Sequence, residues 1–279
     1  MGKFDGVLLA TDFDDTLIRS NLTSAENNVD DHHGYHRNLK ALAYFIREGG
    51  RFTVSTGRVL HTFAPHAAYF PINAPAVLAN GALIYDFSTE TELFHAHLSL
   101  EVPSHVEALA AQFPSLGFET HLGGMIYIHH PNEIIRRHVR KLARPDVEVP
   151  LDQIPLPWTK LLLVHEDHEL LVHAQQWVQQ TWPGVYEAIF SNDRLLELTA
   201  AGVHKGRGVQ QVAERLGISS EHIYCVGDNQ NDLPMLAISK IPFAPANCAP
   251  AVKEWGANLV CSCDDGAIAD IIELLDKRY

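Results

Sequence analysis

Val7-Leu8-Leu9-Ala10 opens the apolar pattern as a short unbroken run, as in a strand buried on both faces of a parallel sheet. The stretch 20–34 is polar and rich in Asn, Asp and His, and reads as a loop. Tyr35, Leu39, Leu42 and Ile46 then share one face of a helix that Gly49-Gly50 ends. Residues 52–55 read as a second strand, 59–69 as a second helix and 76–79 as a third strand. Strands alternating with helices at this interval predict βαβ units with right-handed crossovers.

From Leu83 the texture changes. Leu83-Ile84-Tyr85 and Leu93-Phe94-His95 form a predicted hairpin, and a helix follows at 101–112. A second hairpin joins 117–121 to 125–129 around Gly123-Gly124. Beyond it come a helix at 132–142, a Pro-punctuated linker at 145–157, a strand at 160–164, a helix at 170–180 and strands near 185–190 and 195–198. Paired strands with helices between them predict an α+β insert of ordinary domain size, with Trp158, Trp177 and Trp182 packing it. The alternation resumes after Gly202. A helix carries Val209, Val212 and Leu216, a strand covers Ile223-Tyr224-Cys225-Val226, and a closing helix carries Ile268, Ile271, Ile272 and Leu275. The expected organisation is an α/β core of residues 1–82 and 201–279, split by an insert at 83–200.

Composition narrows the function. A chain of 279 residues with 46% apolar and 20% charged residues is that of a folded protein, which excludes global disorder. Its formal net charge of −13, with no basic cluster shaped for a groove, argues against a nucleic-acid partner. No apolar run approaches the roughly 18 residues of a membrane span, and the N-terminus lacks the parts of a signal peptide. Cys225, Cys248, Cys261 and Cys263 include no C-x-x-C pair, which fits a reducing cytoplasm better than a disulfide framework or a zinc site. The 17 histidines include no H-E-x-x-H, and the pairs His95/His97, His129/His130 and His165/His168 read as residues of the insert, not as metal ligands.

Chemistry concentrates in four turns. Asp12-Phe13-Asp14-Asp15-Thr16 follows the first strand and sets two carboxylates at i and i+2 on a sheet's carboxyl edge, where open α/β sheets bind ligands. Ser55-Thr56-Gly57-Arg58 offers a hydroxyl and helix-start amides to an oxyanion. Lys205, in His204-Lys205-Gly206, places a cation at a helix start, against the macrodipole. Gly227-Asp228-Asn229-Gln230-Asn231-Asp232 packs two carboxylates and two carboxamides into one strand-to-helix turn, which suits a hard cation such as Mg²⁺. Taken singly, the first three have plainer readings, as an acidic turn, an N-cap and a solvated lysine. The fourth exceeds what capping requires.

In this order the four elements resemble the haloacid dehalogenase-like phosphohydrolases, specifically the Cof-type subgroup (type IIB), whose C2 cap is inserted between the second and third motifs. The resemblance spans nearly the whole chain and extends to Asn80-Gly81-Ala82, Asn247, Lys253 and Asp265-Gly266. It implies a Rossmann-like core with a parallel sheet flanked by helices, plus an α+β cap that sets specificity. It also implies catalytic roles for Asp12, Asp14, Thr56 and Lys205. Asp12 becomes the nucleophile that carries an aspartyl-phosphate, and Asp14 the general acid and then base. Asp12, the Asp14 carbonyl and Asp228 hold Mg²⁺. Thr56, the Gly57 and Phe13 amides, Lys205 and Asn231 bind the phosphoryl oxygens. Asp232 orients Lys205 or metal-bound water, and Asn80 stands with it outside the direct ligands.

Two departures accompany the match. Asp15 replaces the usual Gly and adds a charge near the metal, and the 20–34 loop is long and carries His32 and His33, with His36 just beyond. A pair of like charges about 4 Å apart repels by about 4 kcal/mol at an effective dielectric of 20, so a phosphate dianion facing Asp12 and Asp228 requires Mg²⁺ and Lys205. The expected activity is a Mg²⁺-dependent phosphatase of small phosphomonoesters, either sugar phosphates or a cofactor monophosphate such as that of pyridoxal or flavin. The alternatives are a phosphomutase or phosphotransferase on the same scaffold and a non-catalytic phosphate-binding module. Within the insert, His121, Met125 and Tyr127 are the candidate specificity residues.

Overall fold

The computed structural model describes residues 2–23, 32–122, 124–142 and 145–279. Much of the polar stretch read at 20–34, and Gly123 of the second hairpin, lie outside the described residues. In chain order the elements begin with β1 (Leu8–Thr11), α1 (His33–Arg47), β2 (Arg51–Val54), α2 (Leu60–Ala67), β3 (Ala76–Leu78), β4 (Leu83–Asp86) and β5 (Thr91–His95). Then come α3 (Val102–Gln112), β6 (Gly117–Leu122), β7 (Met125–His129), α4 (Glu133–Leu142), β8 (Asp146–Glu148), β9 (Leu161–Val164), α5 (His168–Thr181), β10 (Tyr186–Asn192) and β11 (Leu195–Ala200). The chain closes with α6 (Lys205–Leu216), β12 (Ile223–Val226), α7 (Leu233–Leu236), β13 (Pro242–Pro245), α8 (Pro250–Trp255), β14 (Asn258–Val260) and α9 (Ala267–Asp276).

Two compact units result, one running to Leu93 and resuming at His204–Tyr279, the other Phe94–Val203. The first is built on a parallel sheet of order β14-β13-β12-β1-β2, as the alternating pattern predicts. Leu9, Val54, Tyr224 and Val226 pack with Leu42 and Phe45 of α1 and Ile268, Ile272 and Leu275 of α9 in one apolar core. On another side α7 lies against β12 and α6 against α7 and β3. The central strands are buried at every position, which explains their unbroken apolar runs. A backbone bridge between Ser55 and Val77 ties β3 to the end of β2, and β3-β4-β5 form a small sheet of their own.

Strands β13 and β14 were not legible in the apolar pattern. Prolines bound β13, and β14 is a three-residue edge strand whose Leu259 is half exposed. The Pro-punctuated linker likewise hides β8, which pairs parallel with β7.

The second unit is a six-stranded sheet of order β10-β11-β9-β6-β7-β8. One apolar cluster joins Val102, Val106 and Leu109 of α3, Leu171, Ala174 and Val178 of α5 and the fully buried Trp158 to Phe118, Leu161, Leu163, Leu196 and Leu198. A second joins Ile134, Ile135 and Val139 of α4 to Ile126, Ile128 and Leu162. Among the described residues, no helix is long and apolar enough to cross a membrane.

Candidate active site

Strand register sets the site. Thr11 of β1 lies level with Val226 of β12 and with Val54 of β2. The residues that follow, Asp12, Gly227-Asp228 and Ser55-Thr56, therefore leave the sheet at one height on its carboxyl edge. Gly227 is required by close approach, since a Cβ there would stand 2.3 Å from the Asp232 Cβ.

Lys205 enters from the first turn of α6, whose preceding residue His204 caps it by accepting from the Arg207 amide at 3.2 Å. Its ammonium donates to Asp12 Oδ1 and to Asp232 Oδ1, each at 2.7 Å, and the side chain is 1% exposed. Burial disfavours the charged lysine, but the two carboxylates outweigh it and hold its pKa above the ordinary lysine range. Asp12, Asp228 and Asp232 offer carboxylate oxygens within 4.8 Å of one another, and all three are buried. Burial first, then the Asp232 and Asp228 charges, push the Asp12 carboxyl well above its usual range, against the pull of Lys205. Burial and the Asp232 charge push Asp228 up to about 7, while a 2.7 Å bond from the Thr16 hydroxyl pulls the other way.

The oxygens of this cluster divide into committed and available ones. Asp232 gives Oδ1 to Lys205, and its Oδ2 accepts from the Asp228 amide at 2.9 Å and the Asn229 amide at 3.0 Å. Asp12 and Asp228 each use Oδ1, and among the described residues no protein donor reaches their Oδ2 atoms. One ammonium faces three carboxylates. Hard oxygen donors with an excess of negative charge suit a hard divalent cation, which Asp12 and Asp228 could hold with Asp232 behind them.

The second turn is fastened to the chain that follows β3. Thr56 donates its amide to the Val77 carbonyl at 2.8 Å, and its carbonyl accepts from Asn80 at 3.0 Å. Ala79 (φ 50°) and Asn80 (φ 54°) take left-handed conformations to make this turn. Asn231 Nδ2 donates to Asn80 Oδ1 at 3.3 Å, and the buried Asn80 Nδ2 has no hydrogen-bond partner among the described residues. Phe13 puts its ring in the core, edge to face with Phe63 and Phe70.

The structure thus brings Asp12, Asp228, Asp232 and Lys205 into one cluster and pairs Asn231 with Asn80. Both oxygens of Asp14 accept from Arg58, at 2.6 and 2.7 Å. Asp15 accounts for its own departure. It sits at φ 58°, a left-handed position that Gly takes freely and Asp tolerates. Its carboxylate accepts from the Ser20 amide at 3.2 Å and lies 3.6 Å from Arg19, so its charge adds only weakly to the rise at Asp228. Asn247 holds this turn, donating to the Asp15 carbonyl at 2.7 Å and accepting from the Cys263 amide at 2.9 Å. Arg58 and Thr16 lie inside the quoted motifs, but only packing reveals what they touch.

Among the described residues, the acidic trio is the only group of three or more ligand-type side chains close enough to hold an ion. His95 and His97 stack on each other, as do His129 and His130. His121 is buried against Glu119 at 2.6 Å, and Tyr127 packs on the apolar cluster of the second unit.

A parallel α/β sheet with acidic turns at its carboxyl edge and a lysine delivered by a later helix defines a class. The chain belongs to the haloacid dehalogenase-like hydrolase family, whose model matches residues 9–272. It is similar to pyridoxal phosphate phosphatase YbhA of Escherichia coli (strain K12), with 26% identity covering 91% of this chain and 92% of that one. It is also similar to 5-amino-6-(5-phospho-D-ribitylamino)uracil phosphatase YitU of Bacillus subtilis (strain 168), with 21% identity over 95% and 96% of the two chains. Its fold matches that of the subclass IIB sugar phosphatase BT4131 with a TM-score of 0.77 and 17% identity, over 96% of this chain and 98% of the other.

Proposed function

We propose that the protein is a Mg²⁺-dependent phosphatase of small phosphomonoesters that works through a phosphoryl group carried on Asp12. The observation that carries this reading is the buried cluster at the sheet edge. Lys205 bridges Asp12 and Asp232, while Asp12 and Asp228 keep one oxygen each for a ligand. The names of the two relatives, each a phosphatase of a small phosphorylated molecule, support the same chemistry.

Asp12 attacks phosphorus, and the ester P–O bond breaks as the leaving oxygen takes a proton from Asp14. Water then attacks the phosphoryl group on Asp12, giving its proton to Asp14 and restoring the free carboxylate. Lys205, Thr56, Asn231 and the amides of Phe13 and Gly57 bind phosphoryl oxygens. Asp232 holds the Lys205 ammonium in place. Asp12, Asp228 and the Asp14 carbonyl would hold the metal, which would neutralise the facing anionic groups. The insert is the part of the chain that selects the substrate, a cofactor monophosphate or a sugar phosphate. We place it in the cytoplasm, which the four cysteines without a C-x-x-C pair support.

Phosphate release from a panel of phosphomonoesters tests this, measured with Mg²⁺, with EDTA and with Asp12→Asn. Activity is expected in the first condition alone. Turnover that survives in Asp12→Asn, or that ignores EDTA, would falsify the mechanism. Release that vanishes when a sugar acceptor is supplied, with the phosphoryl group found on the acceptor, would instead identify a phosphotransferase.

A further inference from the structure

Arg58 grips the Asp14 carboxylate. Its Nε donates to Asp14 Oδ2 at 2.7 Å and its Nη2 to Asp14 Oδ1 at 2.6 Å, a two-pronged contact across 44 positions of the chain. The guanidinium carbon lies 5.1 Å from the centre of the Phe13 ring, which is fixed by Phe63 and Phe70 at 5.1 and 5.8 Å. Its main chain is held too, with the amide donating to Thr56 Oγ1 at 3.1 Å and the carbonyl accepting from Ala79 at 2.8 Å. An exposed ion pair would contribute little. Here the arginine side chain is only 19% exposed and supported from both ends.

A guanidinium fork occupies one lone pair on each carboxylate oxygen and fixes the carboxyl plane, leaving the other lone pairs to carry a proton. We propose that Arg58 is the positioning residue for proton transfer, holding the Asp14 carboxyl so that one oxygen meets the leaving oxygen of the substrate. This rests on Asp14 being the proton donor. As the ester P–O bond breaks, its electron pair stays on the leaving oxygen, which takes the proton from Asp14. The carboxylate left behind is the form that accepts both Arg58 donors, and the same carboxylate later takes a proton from water.

Leaving-group dependence tests the proposal. A p-nitrophenolate departs without a proton, whereas the alkoxide of pyridoxal 5′-phosphate, or of the sugar phosphate that the panel ranks first, requires one. The ratio kcat/KM, which reads only as far as leaving-group departure, is compared for the two esters in Arg58→Lys and Arg58→Ala. The alkyl ester is expected to lose about 100-fold, within the range that general acid catalysis supplies, and p-nitrophenyl phosphate only about threefold. Inhibition by inorganic phosphate should be unchanged, since Arg58 serves Asp14 and not the phosphoryl group. Arg58→Lys keeps the charge and the stem over Phe13 but not the fork, and it carries the test should Arg58→Ala fail to fold. Equal losses on both esters, no loss on the alkyl ester, or weakened phosphate inhibition overturns the proposal. Asp14→Asn separates the two layers of the argument. If it shows the selective loss and the arginine variants do not, the Arg58 proposal alone fails; if it loses both esters equally, the reading of Asp14 fails and takes the proposal with it.

Discussion

Thr16 donates its hydroxyl to Asp228 Oδ1 at 2.7 Å, joining turns that stand 212 positions apart. Both groups are buried, so the bond fixes which Asp228 oxygen is left for a ligand. Removing such a support around a metal site costs about 10- to 100-fold in metal affinity. Thr16→Val should therefore raise the Mg²⁺ concentration for half-maximal activity by about tenfold or more, while Thr16→Ser stays near the parent. A Thr16→Val titration that superimposes on that of the parent would remove Thr16 from the metal site.

Lys205 is a buried cation between two carboxylates, and taking away one member of such a group strands the others. Lys205→Met should lower the stability of the metal-free protein by about 3–5 kcal/mol in urea unfolding. Mg²⁺ should recover part of that loss without recovering activity, because in the proposed mechanism the ion offsets charge but does not replace the ammonium that would bind the phosphoryl group. A Lys205→Met protein as stable as the parent would mean that water reaches the cluster freely.

The sequence was most informative where chemistry is dense and local. Asp12, Asp14, Thr56, Lys205, Asp228 and Asp232 all sit at strand ends or helix starts that the apolar pattern places. The parallel sheet followed from unbroken runs such as Val7-Leu8-Leu9-Ala10. What stayed hidden depends on contacts between distant segments. Arg58 could be named within its motif, but its grip on Asp14 requires the Phe13 ring beneath it. Strands β8, β13 and β14 are three or four residues long, too short for any period to show, and two prolines mark β13 as a loop. Asp15 read as an added charge at the metal because nothing in the sequence aims its carboxylate at Arg19 and the Ser20 amide.

Asp228 makes the stability of the metal-free protein depend on pH. Its pKa is pushed up to about 7, chiefly by burial, against about 4 in the unfolded chain. Between these values the folded protein keeps a proton that the unfolded chain has lost, so this group's contribution falls as pH rises through the window. Asp12, raised mainly by burial, moves the same way. His121 and His129, lowered mainly by burial, act oppositely near their ordinary value of about 6.5. Comparing the parent with Asp228→Asn cancels the histidine contribution. The parent should lose on the order of 1–3 kcal/mol relative to the variant from pH 5 to pH 8. Since an ion replaces the proton, Mg²⁺ should raise the Tm more at pH 8 than at pH 5. An equal rise at both would show that no proton competes for the site.

A second buried ion pair lies in the other unit. Lys160 meets Glu197 with both side chains 6% exposed. Glu197 of β11 and Glu119 of β6 each lie level with Leu162 of β9, so the sheet carries two buried carboxylates in one row. Glu119 is stabilised as an anion by hydrogen bonds from His121 and His138, which outweigh its burial and hold its pKa below the usual carboxylate range. Glu197 has Lys160. Deleting the lysine alone leaves the Glu197 carboxylate buried without its ion partner, whereas deleting both puts an apolar pair in the place of the ion pair. Lys160→Met should thus cost about 3–5 kcal/mol, and Lys160→Met combined with Glu197→Leu should return to within about 1 kcal/mol of the parent. Urea unfolding of the two single variants and the double variant measures this coupling. If the losses simply add, the pair is not what holds these two side chains in the sheet.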